Sequence, residues 1–439
     1  MSEVLHGAAV VLSLDPPEVA GLEVLIEDGR VAALGRALEG DVRRDCSGHV
    51  VIPGNVCAHH HLYSALARGM PYHLEPPSDF GEILSRVWWR LDRALDEESV
   101  QASARRGGLE ALLAGTTTIV DHHASPNFID GSLDVIAGQL ELLGVRSVLC
   151  YEVTDRDGPD RAAAGVRENQ RFLATGRPLA RGMVGAHASF TMGEETLAAC
   201  AEVARTAGAG VHIHVAEDDL DQRDSMARYG RRVVDRLAEA DVLGPRSLLA
   251  HCVHVRPEEM QVIEQSGAAV VCNPRSNMNN RVGYSPFNLS SGTVALGTDG
   301  IGGDMIDESR TGYFRSRETT LDVPASWPLV RVAESARLAG RLFGEPLLGT
   351  LRVGAPADLC VLSYDPPVPL TAENLAGHWV FGLTPGRIRD VYVAGERVVA
   401  DRRPTRVDES WAASRDLQAG TELWKRLDDI PAHPYLVGE

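Results

Sequence analysis

Lysine is all but missing from this chain. Of 43 basic residues among 439, only Lys425 is lysine. A dinuclear metal site bridged by a carbamylated lysine is therefore excluded unless a glutamate or cysteine does the bridging. Cysteine is sparse too. The seven cysteines (46, 57, 150, 200, 252, 272, 360) are odd in number, widely spread, and form no Cys-x-x-Cys pair. That excludes a disulfide framework and a zinc ribbon, and leaves reduced thiols buried as small hydrophobes. The zinc deaminase signature of His-x-Glu followed by Pro-Cys-x-x-Cys is absent, as is a glycine-rich phosphate loop after a strand. No apolar run reaches membrane-spanning length, and Met1-Ser2-Glu3-Val4 lacks a basic, apolar leader. A formal net charge of -18 disfavours nucleic acid and anionic membranes as partners. The expectation is a cytoplasmic protein whose partner is a small molecule.

What is present is ordinary in bulk, with 44% apolar and 24% charged residues, and patterned in detail. Short strand-like pieces fill the N-terminal 53 residues, among them Ala8–Leu12, Leu22–Ile26 and Val31–Leu34. The same texture returns after residue 350 with Leu359–Leu362, Ile388–Val393 and Arg397–Val399. Between them, apolar runs end near His59, Asp121, Glu152, His187, His214, His251, Asn273 and Asp299. Amphipathic stretches such as Ser99–Ala114, Glu195–Ala207, Arg228–Ala240 and Pro257–Ser266 separate them. Eight strand–helix units predict an α/β fold, a (β/α)8 TIM-like barrel with active residues on its C-terminal rim. The division expected is a small β-sandwich domain from residues 1–53 plus 350–403, a barrel over 54–349, and a C-terminal helical tail over 404–439.

The chemistry-bearing residues sit at those strand ends. His59 and His61 are two apart, so on extended chain they share a face while His60 points away. Two imidazoles aimed into a barrel mouth can hold a divalent cation; the alternative is an exposed histidine-rich turn. His212 and His214 repeat the spacing. His214 is nearer the strand end and the better ligand, and His212 lies one layer deeper in a hydrogen-bonded role. Glu217 follows just past the strand, where a carboxylate can reach over a metal without ligating it and shuttle protons. His251 and Asp299 complete the set. Asp299 lies in Gly297-Thr298-Asp299-Gly300, where it would ligate and accept a proton from water.

Taken in order, these motifs resemble the amidohydrolase superfamily, in the branch of guanine, adenosine-type and triazine aminohydrolases and chlorohydrolases. The matching segments are Pro53-Gly54-x-x-x-x-His59-x-His61, Gly185-Ala186-His187, His212-x-His214-x-x-Glu217 and Ala250-His251. They continue through Asn273-Pro274-x-Ser276-Asn277-Met278, Gly297-Thr298-Asp299-Gly300 and Gly349-x-Leu351-x-x-Gly354-x-x-Ala357-Asp358. A narrower likeness to SsnA-type aminohydrolases rests on Trp88 to Ser99, Asp121 to Pro126 and Arg275 to Asn280. The resemblance implies one divalent metal, zinc or iron, held by His59, His61, His214 and Asp299. It implies that His251 orients or deprotonates water, that Glu217 protonates a ring nitrogen, and that Asp299 passes a proton to the leaving amine. His187 matches a histidine facing substrate, although Ala188-Ser189-Phe190 departs from the usual Ala-Pro-aromatic continuation. A homodimer is also implied.

Substrate-binding candidates are His122, His187, Trp88, Arg275 and Asn277. Aromatic faces among histidines suit a flat heteroaromatic ring. The stripe Ile83, Leu84, Val87, Leu91 within Asp79–Leu95 makes one of Trp88 and Trp89 core without saying which. His122 and His123 point opposite ways, and His122 is the one expected at the pocket. Arg275 reads an anionic or carbonyl-rich substrate or forms a surface salt bridge. The function expected is a metal-dependent hydrolase that deaminates a purine-, pteridine- or pyrimidine-like ring. The alternatives are hydrolysis of a cyclic amide or a carbon–halogen bond, and a non-catalytic metal-binding accessory protein.

Overall fold

Eight parallel strands form the centre of the molecule: Asn55–His60, Thr116–His123, Arg146–Val153, Val184–Ala188, Val211–Val215, Leu248–His251, Ala269–Cys272 and Val294–Leu296. The structure, a computed structural model, describes residues 2–285 and 291–435; the outermost residues of the expected N-terminal segment and tail lie outside that range. Each strand pairs with the next, and the eighth returns to the first through a parallel bridge between His60 and Asp299. At this seam the backbone nitrogens of Thr298 and Asp299 both donate to the His59 carbonyl, and that of His61 donates to the Asp299 carbonyl. Every residue of these strands is buried, as a parallel sheet covered on both faces requires. Register shifts interrupt the ladders between Cys57 and His60 and between Ala186 and Ala188. Such bulges re-aim side chains, here beside the histidines.

The helices follow the predicted stretches closely at Glu97–Leu113, Glu194–Ala207 and Pro257–Ser266. Arg228–Ala240 is not one helix. Asp219–Tyr229 stops at Gly230, whose φ of 66° ends it, and a second helix runs over Val233–Glu239. The segment after Asp79 is also subdivided, with Phe80–Ile83 and Trp89–Ala94 joined by a wide π-helical turn at Leu84–Trp88. Among the described residues no helix is long and apolar enough to cross a membrane.

The two termini build two further sheets. A four-stranded sheet combines Glu3–His6, Glu23–Glu27, Arg30–Gly35 and Val42–Asp45. A seven-stranded sheet interleaves Ala9–Leu14, Pro17–Ala20 and Val50–Pro53 with Leu359–Leu362, Ile388–Val393, Glu396–Ala400 and Arg403–Pro404. Period-two alternation decides what each strand touches. Val51, Leu359 and Val361 pack with Val24 and Ile26 between the sheets, whereas Val50, Ile52, Cys360 and Leu362 join the core shared with the barrel. Val50–Pro53 thus belongs to this sheet and does not lead straight into the histidines. Gly54 breaks the two apart, and a Cβ there would lie 2.4 Å from Thr117 Oγ1. The buried Arg146–Asp358 pair, at 2.9 Å, ties the third barrel strand to the terminal sheets.

The tail helix, Glu409–Asp428, buries Ala412, Ala419, Leu423 and Leu427 along one face. Arg105 of the Glu97–Leu113 helix meets its Asp416. Beyond it the chain crosses the Trp88–Trp89 segment. Arg90 Nε donates to the Ile430 carbonyl at 2.6 Å, and the His433 backbone nitrogen donates to the Ser85 carbonyl at 2.8 Å. The Tyr435 hydroxyl donates to the Phe190 carbonyl at 2.8 Å.

Candidate active site

Three strand ends turn inward through backbone that L-residues seldom adopt. Ala216, His251 and Asp299 have φ of 46°, 72° and 53°, a strain of roughly 1–3 kcal/mol each that clusters at functional sites. The turns aim Glu217, His251 and Asp299 at the mouth of the barrel. Gly297 makes the last approach possible, since a Cβ there would sit 2.6 Å from both the His59 carbonyl and Asn273 Oδ1. Gly300 on the other side is less constrained, at 3.3 Å from Trp88.

Around this point the imidazoles converge. His61 Nε2 lies 3.0 Å from Asp299 Oδ1 and 3.1 Å from His214 Nε2, and His59 Nε2 lies 3.6 Å from Asp299 Oδ1. The rear nitrogens are all engaged. His59 Nδ1 meets His212 Nε2 at 2.8 Å, His61 Nδ1 the His122 carbonyl at 2.6 Å, and His214 Nδ1 the His187 carbonyl at 2.9 Å. Carbonyls accept from Nδ1–H in two cases, which fixes the tautomer and turns a bare Nε2 inward, the outer-sphere arrangement of metal-ligating histidine. His60 points away to Thr298 Oγ1 at 2.8 Å, and His212 stays beneath His59.

A divalent cation fits this donor set. Ligand atoms of His59, His214, His251 and Asp299 lie within 4.8 Å of one another, and the buried Nε2 atoms of His59 and His251 have no hydrogen-bond partner. Burial works against a charged His61, yet neighbouring Asp299 pushes it up to about 9. Burial likewise would raise Asp299, but His59 and His61 hold it well below the usual carboxylate range. A second group, His61, His122, Glu152 and His214, shares His214 with the first. There His122 Nδ1 is 3.2 Å from Glu152 Oε2 and Nε2 meets two backbone carbonyls, so its ring is already engaged.

On the other side of Asp299, His251 Nε2 faces Glu217 Oε2 at 3.5 Å and Asp299 Oδ2 at 4.0 Å. Its Nδ1 is held by Asn277 Oδ1 at 2.8 Å. Burial pushes the Glu217 carboxyl up to about 7, a value suited to a proton donor near neutrality. One short helix, Pro274–Asn279, organises this side: Ser276 Oγ donates to Asp299 Oδ2, and Asn280 just beyond it donates to Glu217 Oε1 at 3.3 Å.

A cavity opens above these groups and is walled by Trp88, Trp89, Phe80, Leu84, His187 and Phe190 with Glu217 and Asp299 at its floor. Its aromatic walls with a few convergent polar groups suit a small-molecule ligand. His187 and Trp88 are among the residues that line it. Both tryptophans line it, because the π-helical turn rotates Trp88 toward the space while Trp89 stays 2% exposed. The other three substrate-binding expectations are corrected. His122 lies beneath the histidines, fully buried between Glu152 and two carbonyls. Arg275 donates to Glu308 and to the Gly302 carbonyl, pinning the loop after Asp299. Asn277 orients His251. Sequence reasoning missed Asp92, Glu152, Ser276 and Asn280. Ser276, Asn277 and Asn280 share one helix turn, a polar cluster that could have been read; Asp92 and Glu152 meet only in three dimensions through Arg156, at 2.6 and 2.8 Å.

Comparison with known proteins gives a consistent picture. Residues 50–398 match the model of the Amidohydrolase family. A 5'-deoxyadenosine deaminase of Methanosarcina mazei is 28% identical over 98% of this chain and 100% of its own. A 5-methylthioadenosine/S-adenosylhomocysteine deaminase of Desulforudis audaxviator is 29% identical over 88% of this chain and 91% of its own. Among solved structures, an adenosine deaminase from Xanthomonas campestris with bound zinc superposes with a TM-score of 0.83 at 22% identity, over 96% of this chain and 98% of that one.

Proposed function

The chain belongs to the amidohydrolase family, and from that premise we propose that it hydrolytically deaminates an aminated purine, with an adenine nucleoside as the leading substrate class. The observation that carries this reading is the opposition of His251 Nε2 and Glu217 across Asp299, beneath a cavity walled by aromatic rings. The curated relatives, named as deaminases of adenine nucleosides, support the choice of ring.

His59, His61, His214 and Asp299 would hold one zinc ion, which when bound acidifies water and stabilises developing negative charge. The bare Nε2 of His251 accepts a proton from the attacking water, and Asn277 keeps it aimed. Glu217 donates a proton to the ring nitrogen as the ring carbon becomes tetrahedral. Asp299, steadied by Ser276, takes the remaining proton of the added hydroxyl and passes it to the amine, and the proton on His251 returns Glu217 to its acid form. The carbon–nitrogen bond then breaks, leaving a ring carbonyl and ammonia. Trp88 and His187 face the ring. The same reading carries a homodimer, a cytoplasmic location and the three-part domain division.

The test is ammonia release by zinc-reconstituted protein from adenine nucleosides, with Glu217→Gln alongside. Release by the native protein that falls by about 10²–10⁴ in the variant, with zinc content kept, is expected. Silence toward every aminated purine, with halide or ring-amide hydrolysis instead, would replace this reading.

A further inference from the structure

A second cavity, of about 250 Å³, adjoins the first and shares two lining residues with it, Trp88 and Gly300. Its walls are small or apolar: Ala65 and Ala67 of the short helix Leu62–Ala67, Gly107 of the helix Glu97–Leu113, and Ile301. The charged pair beside it, Arg68 and Glu110, is closed on itself by hydrogen bonds of 2.9 and 2.7 Å. Ser64 Oγ is engaged too, donating to the His61 and Gly300 carbonyls at 2.8 Å. A space so lined gains most from an apolar group.

The partition between the cavities is slight. At Gly300 there is no side chain, and a Cβ would lie 3.3 Å from Trp88 and 3.5 Å from Ser64 Oγ. Trp88 is half-buried and packs against two apolar clusters, with no hydrogen bond or ring contact among the described residues. Trp89 beside it is held, with Arg156 over its ring at 5.2 Å and the rings of His433 and Tyr435 at 5.4 and 5.9 Å. Trp88 also ends the π-helical turn, a geometry that recurs at functional sites. It is thus the part of the wall that can shift against packing alone.

Gly300 directly follows Asp299, the residue that hands a proton to the departing nitrogen in the proposed reaction. Resting on that deaminase reading, we infer that the second cavity receives an apolar substituent carried on the departing nitrogen, so that the chain also hydrolyses N-alkylated aminopurines. Water adds to the ring carbon, the last proton of its hydroxyl reaches the substituted nitrogen, and the carbon–nitrogen bond breaks. The products are the same ring carbonyl and a primary amine in place of ammonia, with no change of oxidation state.

The experiment offers adenosine, N6-methyladenosine and N6-benzyladenosine to the zinc-loaded protein and measures ammonia, methylamine and benzylamine. Binding of the benzyl compound to metal-free protein is followed by calorimetry. Release of both alkylamines is expected, with kcat/KM for the methyl compound within about tenfold of adenosine. Ala65→Leu, which fills the second cavity, should lower kcat/KM for the benzyl compound relative to adenosine by about tenfold or more and weaken its binding. Ala67→Leu is the second filling variant, and Trp88→Ala should move the same ratio the other way. Ammonia from adenosine without alkylamine from either analogue would overturn the inference and leave the deaminase reading, as would a ratio that neither filling variant moves. Benzyl-compound binding that the filling variants weaken, with no amine from any probe, would overturn the deaminase reading and keep the second cavity as the seat of the substituent.

Discussion

The floor and the wall of the cavity are made differently. On the floor, His59, His61, His214, His251 and Asp299 each sit at a strand end, and each histidine's rear nitrogen is held by a carbonyl or a side chain. The wall comes from the broken helix around Trp88 and Trp89, and its back is a network in which Asp92 of that helix meets Arg156, which also pairs with Glu152 of the third barrel strand and with its own neighbour Asp157. Residues on a rigid barrel rim can be positioned finely, and segments laid over it can vary without disturbing that rim. On the proposed reading, chemistry is fixed by the floor and choice of substrate belongs to the wall.

The sharpest way to break this comparison is at the floor. Asp299→Ala should abolish zinc binding, measured as metal per chain, and lower turnover by about 10⁴ or more, since it removes ligand and proton carrier together. Asn277→Ala should keep the metal and lower kcat by about 10–100-fold, because His251 loses its orientation. Removing residues 431 onward should touch the wall alone. Loss of the His433 and Tyr435 contacts should raise KM up to about tenfold while kcat and zinc content hold. A floor-like loss of kcat there would erase the distinction.

The smallest effect concerns pH. Burial pushes Asp121 up to about 7, with Oδ1 accepting from the Leu62 nitrogen at 2.7 Å and Oδ2 unpartnered. A raised carboxyl stabilises the fold fully below its unfolded value of about 4, and that contribution is lost as pH rises through about 7. Asp121→Asn removes the dependence. Its Tm relative to the native protein should rise by a few degrees between pH 4 and pH 8, and a flat difference would refute the assignment.

The same contrast explains what could be read from sequence. The floor was legible because its residues sit at strand ends spaced by the barrel repeat, and i, i+2 spacing told His59 and His61 from His60. His122 was misread since period two says which residues share a face but not whether that face meets solvent or carbonyls. Arg275 and Asn277 were in the right motif with the wrong partners, because their neighbours Glu308 and His251 are distant in sequence. Of the terminal sheets, strands as short as Val42–Asp45 and Arg403–Pro404 carry too few residues for a pattern.

One further consequence lies in the crossing of the C-terminal segment over the Trp88–Trp89 helix. Every residue of the floor has been translated by residue 299, but the wall is fastened by His433 and Tyr435. During synthesis the residues proposed to hold a metal therefore emerge well over a hundred codons before those that fasten the wall.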